Sequence, residues 1–441
     1  MSGFVILLVI VAVYALLARR LDGLQISAPM VFVAAGMALG PDGAGLLELS
    51  LDSEVVLTFT EVTLAALLFA DASTVPLRAV EGDAGVPGRL LGVGLLLTIA
   101  AGTILGLVVA PELGWAGAAL VASVLAPTDA ALGMAVVTDR AVPVRIRRAL
   151  NIESGLNDGI ATPFVTVFLA ALLSEEGVEG GSWVLDAIVD IGLAILVALV
   201  VGAVGGRLLS IAARLGWTSH VSEQLCVLSL AILSYVWAVE VGGNGFVSAF
   251  TAGLVFGAVA RAHRDAIGFT EDASLFASFL VWVVFGASFV GPVLAGSFDA
   301  MAVVYAAASL TLVRMVPVAI ALTGEGFRRT TVAFMGWFGP RGLASVVFTL
   351  LAIEEFSGTD VDVPLLEIAT WTILLSVILH GISAHPLARA YGNRIRSGDP
   401  SAPELVEVAE PHVRRHFLRR GVAPDQPAAG GGGSSAADPE G

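Results

Sequence analysis

The sequence predicts an all-α polytopic membrane protein of about 13 transmembrane helices, arranged as inverted repeats with one broken helix in each half. Hydropathy, the recurrence of apolar stretches and the placement of arginine all point to it. Hydrophobic residues make up 56% of the 441 and charged residues only 14%, with a mean hydropathy of +0.88. A soluble domain carries about a quarter charged residues because its exterior meets water, so this chain must face lipid.

Apolar stretches close to the roughly 20 residues that cross a hydrocarbon core fall at 3–18, 26–40, 54–75, 88–110, 115–138, 147–173, 184–214, 222–240, 245–263, 275–294, 299–322, 330–352 and 366–391. The first run has no basic residue before it and Arg19 and Arg20 after it, which marks a retained span and not a cleaved leader. The loops after spans 1, 3, 5, 7, 9 and 11 hold Arg19/Arg20, Arg78/Arg89, Arg140/Arg145/Arg147/Arg148, Arg207/Arg214, Arg261/Arg264 and Arg328/Arg329. Loops after the even spans hold no arginine and carry Asp42, Glu48, Glu112, Glu175, Glu176, Glu355 and Asp360. Basic residues are retained in the cytoplasm, so the N-terminus is expected outside and the C-terminus inside. From Ser397 the chain turns to Pro, Glu, Arg and Gly, so residues 393–441 read as a disordered cytoplasmic tail. A short basic helix near 404–420 would bring Arg414, Arg415, Arg419 and Arg420 to anionic lipid; a solvated tail is the simpler expectation.

Composition also excludes. Cys226 is the only cysteine, which leaves no internal disulfide and no cysteine metal cluster. The formal charge of −15 gives no support to nucleic-acid binding. All 23 basic residues are arginine, a codon or salt-adaptation signature that assigns no function.

An ionisable side chain at membrane depth costs about 2.5–3.5 kcal/mol on insertion scales and is by default a functional candidate. Asp129, Asp158, Arg314 and Arg341 fall near mid-span, with Glu153 close by. Span 5 contains Ala126-Pro127-Thr128-Asp129; the proline removes a donor and frees carbonyls around 123–125. An unwound stretch there would offer carbonyls, the Thr128 hydroxyl and the Asp129 carboxylate as hard oxygen ligands for Na⁺ or Li⁺, against the plainer alternative of a proline kink with a capping Asp. Span 6 carries Glu153-Ser154-Gly155-Leu156-Asn157-Asp158-Gly159. Ser154 and Asp158 share one helix face and Asn157 neighbours them. Glu153 points about 140° away from Asp158, so Asp158 is expected to face an ion and Glu153 a structural cation. Span 12 carries Gly336-Trp337-Phe338-Gly339-Pro340-Arg341-Gly342, a second break with Arg341 inside it. Arg341 is the leading partner for Glu153, and Arg314 in span 11 is the second candidate. In span 3, Asp71 suits a cation-attracting funnel and Glu61 a proton-linked or packing role. His380 and His385, five apart, make a poor metal pair and read as packing or helix-end residues.

Spans 5 and 12 are each fifth in their half if spans 1–6 and 8–13 are repeats joined by span 7. The halves then run in opposite directions, which is the plan of many secondary transporters with a site at the midplane.

Thr128-Asp129, the Glu153–Gly159 run with its Asn-Asp pair, and Gly339-Pro340-Arg341-Gly342 resemble the monovalent cation:proton antiporter-1 family, NhaP type, over residues 1–392. The resemblance implies crossed unwound helices, a homodimer, and elevator-like movement of core helices (about 88–173 and 299–391) against dimerisation helices (about 1–75 and 184–294). It implies that Thr128, Asp129, Ser154 and Asp158 hold a monovalent cation, that Asn157 orients the site, and that Glu153 pairs with an arginine, best matched by Arg341. It departs from the family in having Ala130 after Thr-Asp, with Pro127 before the pair. The expected activity is Na⁺ (or Li⁺) exchange for H⁺ in a cell membrane, electroneutral because Asn157 cannot carry a second proton, with no cofactor. K⁺/H⁺ exchange is the alternative; a cation channel or an intramembrane aspartyl protease explains fewer of the residues.

Overall fold

The computed structural model describes residues 3–47, 53–75, 85–175, 183–296, 298–356, 362–399, 401–406 and 408. Helices are its only regular elements among the described residues, as lipid requires of a chain whose backbone groups must be satisfied internally. They run α1 (Gly3–Gly23), α2 (Ala28–Leu39), α3 (Glu54–Thr74), α4 (Gly85–Val109), α5a (Gly114–Leu125), α5b (Ala130–Val137), α6 (Val144–Glu175), α7 (Trp183–Arg214), α8 (His220–Glu240), α9 (Gly245–Val259), α10 (Asp265–Ala295), α11 (Ala300–Ala321), α12a (Arg329–Trp337), α12b (Leu343–Phe356) and α13 (Asp362–Arg396). Each expected span has its helix, and the two expected to be broken are broken. The chain is a multi-pass membrane protein by this architecture: ten described helices are long and apolar enough to cross a bilayer, and two shorter apolar ones accompany them.

Local chemistry sets the ends. Asn244 caps α9 by accepting from Phe246 N at 3.0 Å and Val247 N at 2.9 Å, while its amide donates to Thr166 Oγ1 at 2.8 Å and ties α9 to α6. Within spans, hydroxyls fold back on their own helix, as Ser73 does to the Phe69 carbonyl at 2.6 Å and Ser123 to the Ala119 carbonyl at 2.8 Å. That removes their cost in an apolar surround.

Packing divides the helices. α4, α5a and α6 pack in sequence, and α11 packs on α12a and α13; separately, α2 and α3 pack on α10, and α9 lies between α3 and α7. The second group approaches closely because it is built on small residues. A Cβ on Gly253 or Gly257 of α9 would overlap the α3 backbone at Phe69 and Ser73, and one on Gly286 of α10 would overlap the Val33 carbonyl of α2. Small-residue contacts replace the hydrophobic drive that lipid removes. α6 meets this group at Gly159, which lies under the Phe250 ring of α9.

The tail departs from the expectation of disorder over one stretch. A single turn at Pro403–Leu405 docks on α6, α12a and α13. Glu404 is fully buried; its Oε1 accepts from Arg328 N at 2.9 Å and Thr331 Oγ1 at 2.7 Å, capping the start of α12a. Tyr391 of α13 donates to Thr331 Oγ1 at 3.1 Å, and Arg145 Nη1 donates to the Pro403 carbonyl at 3.0 Å. Composition registers low apolar content there, and misses a carboxylate that answers a backbone donor and a hydroxyl at the start of a helix. Arg414, Arg415, Arg419 and Arg420, and most of the basic helix expected near 404–420, lie outside the described residues.

Burial raises the Glu404 carboxyl's affinity for a proton, but the donors from Arg328 N and Thr331 outweigh it, so its pKa lies below the ordinary glutamate value. A carboxyl with a depressed folded-state pKa stabilises above the unfolded pKa and loses that contribution as pH falls through the folded one. Glu404→Ala is expected to lower stability by about 1–3 kcal/mol, the cost of stranding a buried donor, in thermal unfolding at pH 7. The difference from the parent should shrink as pH drops below the carboxylate range. Equal stability at pH 7 would show that the turn contributes nothing.

Candidate functional site

The two interruptions cross each other. α5 is unwound at Ala126–Asp129 and α12 at Phe338–Gly342, and Asp129 N donates to the Pro340 carbonyl at 2.7 Å. Four half-helix ends therefore meet in one place, two with orphan donors and two with orphan carbonyls. Asp129 answers the donors. Its Oδ1 accepts from Ala131 N at 2.6 Å and Leu132 N at 3.0 Å at the start of α5b, and its Oδ2 accepts from Leu343 N at 3.0 Å at the start of α12b. Gly342 is required here, since a Cβ would overlap the Asp129 carboxylate. Arg341 answers the carbonyls: its Nη1 donates to Ala126 O at 2.6 Å and Pro127 O at 3.3 Å, and Ser345 Oγ donates to Val124 O at 2.7 Å.

This arrangement corrects two expectations. Carbonyls around 123–125 were offered as ion ligands, yet the Val124 carbonyl is taken by Ser345, and the next two in the break, of Ala126 and Pro127, by Arg341. Arg341 was the leading partner for Glu153, but that partner is Arg314: Nη2 lies 2.5 Å from Glu153 Oε1, and both side chains are 2% exposed. Arg341 is drawn away to the break, where its guanidinium serves the unwound Ala126 and Pro127 carbonyls. Gly339 leaves the room that Arg314 needs, with its Cβ position 2.5 Å from Arg314 Nε and 3.0 Å from Thr128 Cγ2.

Beside the crossing, three polar side chains converge. Thr128 Oγ1 lies 3.0 Å from Ser154 Oγ and accepts from Asn157 Nδ2 at 2.6 Å. All three are buried, and Asn157 Oδ1 has no hydrogen-bond partner. A buried, unanswered amide oxygen beside two hydroxyls is a set of hard oxygen donors that fits a small monovalent cation. Asp158 is buried one turn beyond Ser154 on the same face, at the seam where neighbouring Gly159 meets Phe250 of α9. Asp129 stands differently from its expected role: about three of its four lone-pair positions are spent on backbone donors, so it is chiefly the pin of the crossing.

Glu61 and Asp71 do not gather into one funnel. About 15 Å of helix rise separates them on α3. Glu61 lies beside the Tyr235 hydroxyl of α8, which donates to it, and the Asp71 carbonyl accepts from Thr74 at 2.8 Å.

Sequence reasoning passed over Ser345 and Ser376. Of the two readings of His380, packing holds: it is 1% exposed, and its Nε2 lies 2.7 Å from the Trp337 carbonyl. The missed signal is an ionisable residue deep in span 13, one turn after Ser376.

Among curated proteins, the chain is 26% identical over 396 residues to a K(+)/H(+) antiporter NhaP2 of Shewanella baltica, covering 88% of this chain and 66% of that protein. It is 25% identical over 305 residues to a Na(+)/H(+) antiporter of Schizosaccharomyces pombe, covering 63% and 65%. Against a NhaP2 of Shewanella oneidensis it is 28% identical over 270 residues and spans only 46% of that protein's length. The fold matches the sodium proton antiporter MjNhaP1 from Methanocaldococcus jannaschii with a TM-score of 0.68 at 21% identity, covering 88% of this chain and 97% of that one. The family model for sodium/hydrogen exchangers, transmembrane, matches residues 5–390, a stretch that takes in both broken helices and the crossing between them, and so the chain belongs to the sodium/hydrogen exchanger family.

Proposed function

We propose that this protein is a secondary antiporter exchanging Na⁺ or Li⁺ for H⁺ at the Thr128–Ser154–Asn157 cluster, with Asp158 as the shared acid. The unanswered Asn157 Oδ1 between buried hydroxyls, one turn from a buried carboxyl, carries this reading. A carboxylate out of water must be neutralised by a proton or by a cation. If the core helices travel only when Asp158 is neutral, each crossing carries one or the other, and the two ions move in opposite directions. Asp129 and Arg341 hold the unwound backbone, and Glu153 with Arg314 forms an ion pair behind it.

The same reading takes α4–α6 and α11–α13 as a mobile core and α1–α3 with α7–α10 as the dimerisation surface of a homodimer. It places the protein in the cell membrane with the N-terminus outside. The outward apolar faces of α1 and α7 support a lipid- and partner-facing role for that group. Exchange of K⁺ for H⁺ is the second reading, favoured by the NhaP2 relatives named as K(+)/H(+) antiporters.

Because Asn157 is an amide, one carboxyl is available per cycle and exchange is expected to be one-for-one. In proteoliposomes, cation-dependent proton flux compared among Na⁺, Li⁺ and K⁺ ranks the two readings. An imposed potential of about 100 mV should leave the exchange equilibrium unchanged, whereas one net charge per cycle, worth about 2.3 kcal/mol, would shift it about fifty-fold. Conduction without proton coupling would replace the antiporter with a channel.

A further inference from the structure

We propose that Ser376 and His380 of α13 are positioning residues that bracket the α12 interruption and thereby fix the cation site; this deepens the antiporter reading and rests on it. Neither residue touches the Thr128–Ser154–Asn157 cluster. Both are buried, at 0% and 1% exposure, one helical turn apart on the face of α13 turned to the break.

The hydrogen bonds define the bracket. A carbonyl only accepts, so it is the ring protonated at Nε2 that donates to the Trp337 carbonyl, 2.7 Å away at the last residue of α12a. Arg341 N donates to Ser376 Oγ at 2.6 Å. On its other side the His380 ring sets Nδ1 2.9 Å from the Ser376 carbonyl and 3.3 Å from the Ser376 hydroxyl, so the imidazole is held between residue 337 and the turn of α13 before it. The Trp337 indole stacks on the imidazole at 5.0 Å between centroids and donates to Ser383 Oγ at 3.0 Å, which holds the ring against rotation.

One α13 side chain therefore grips residue 337 and the other residue 341. Between them stands Pro340, whose carbonyl receives Asp129 N, and immediately after them Gly342 and Leu343 abut the Asp129 carboxylate. A shift of the α12 break moves Asp129, and with it the neighbouring Thr128 that holds Ser154 and Asn157. Unwound backbone in a membrane holds its shape only where every freed group has a partner. The bracket supplies two of those partners from a third helix. It acts on the geometry of the bound cation, so it should govern affinity more than turnover.

The test uses the full chain in proteoliposomes, measuring Na⁺-dependent proton exchange across a Na⁺ titration for the parent, His380→Ala, His380→Gln and Ser376→Ala. His380→Ala and Ser376→Ala are expected to raise half-saturating Na⁺ about tenfold, the equivalent of one lost buried hydrogen bond, with the maximal rate within about twofold. His380→Gln, whose amide nitrogen reaches where Nε2 stood, should restore most of the affinity. Hydrogen–deuterium exchange of peptides covering 126–132 and 338–343 gives a readout independent of transport: both alanine variants should exchange faster there, and the glutamine variant should not. Parent-like half-saturation in both alanine variants, or a glutamine variant as impaired as His380→Ala, overturns the bracket. Unchanged protection of 338–343 in Ser376→Ala overturns it even if His380→Ala does not fold. Absence of exchange in the parent counts against the antiporter reading alone, and the deuterium measurement still decides the bracket.

Discussion

Asp158→Asn is expected to abolish cation-coupled proton exchange while leaving the helices assembled. The substitution is nearly isosteric, so the seam at which Gly159 meets Phe250 keeps its packing. The Asp158 backbone carbonyl still accepts from Thr162 Oγ1 at 2.9 Å. What disappears is the charge that a proton or a cation neutralises in turn. The amide never needs neutralising, so travel of the core is no longer conditional on carrying an ion, and the drive that concentrates a cation there is lost. A full charge at membrane depth is worth several kcal/mol, so exchange should fall by at least about a hundredfold. The measurement is a pH-jump assay in proteoliposomes, with thermal unfolding run alongside to establish that the variant is folded. Exchange above about a tenth of the parent rate in a folded Asp158→Asn protein would remove Asp158 from the mechanism. Asp158→Glu, with the charge kept and moved by one methylene, should retain measurable exchange with altered cation affinity.

The helices were legible because lipid leaves few options. A span must be apolar, of a certain length and helical, and each of those demands is written in a local window. The breaks were legible for a related reason: Pro127 and the Gly339-Pro340-Arg341-Gly342 run disfavour a continuous helix, and the family resemblance implied that the two breaks cross. The face shared by Ser154 and Asp158 followed from helical spacing alone. Partner choice across helices was not legible. Spacing fixes depth and face, yet it holds no term for how α11 lies against α12, so Arg341 ranked ahead of Arg314 as the partner of Glu153. The structure separates them by need: the Ala126 and Pro127 carbonyls take the guanidinium that sits in the break, and the pair is left to the other. Asp129 had two readings, ion ligand or capping Asp, and the capping contacts are present. A carboxylate beside an unwound helix reads as a ligand until the second helix brings Leu343 N to its other oxygen. The contacts of His380 and Glu404 were not legible because their partners, the Trp337 carbonyl and Arg328 N, are backbone groups that no sequence motif advertises.

The division of labour between the arginines yields the second large effect. Arg314 is 2% exposed, Arg341 is fully buried, and Glu153 is the carboxylate that pairs with Arg314. Glu153→Gln leaves one guanidinium buried without its counter-charge and next to another. Removing one partner of a buried ion pair costs about 3–5 kcal/mol, because the survivor keeps its desolvation penalty and loses the attraction that offset it. The variant should therefore unfold at a markedly lower temperature in detergent, or fail to accumulate. Removing both charges together, as in Glu153→Leu with Arg314→Met, removes the penalty along with the attraction and is expected to recover most of the loss. A double-mutant cycle makes the assignment sharp. The coupling energy between positions 153 and 314 should exceed that between 153 and 341, since Arg341 is committed to the Ala126 and Pro127 carbonyls. Arg341→Met should fail in another way, by releasing those carbonyls, and no change at Glu153 should repair it. A larger 153–341 coupling would return Arg341 to the ion pair and leave the Ala126 and Pro127 carbonyls free to bind the transported cation, which is a different chemistry for the site.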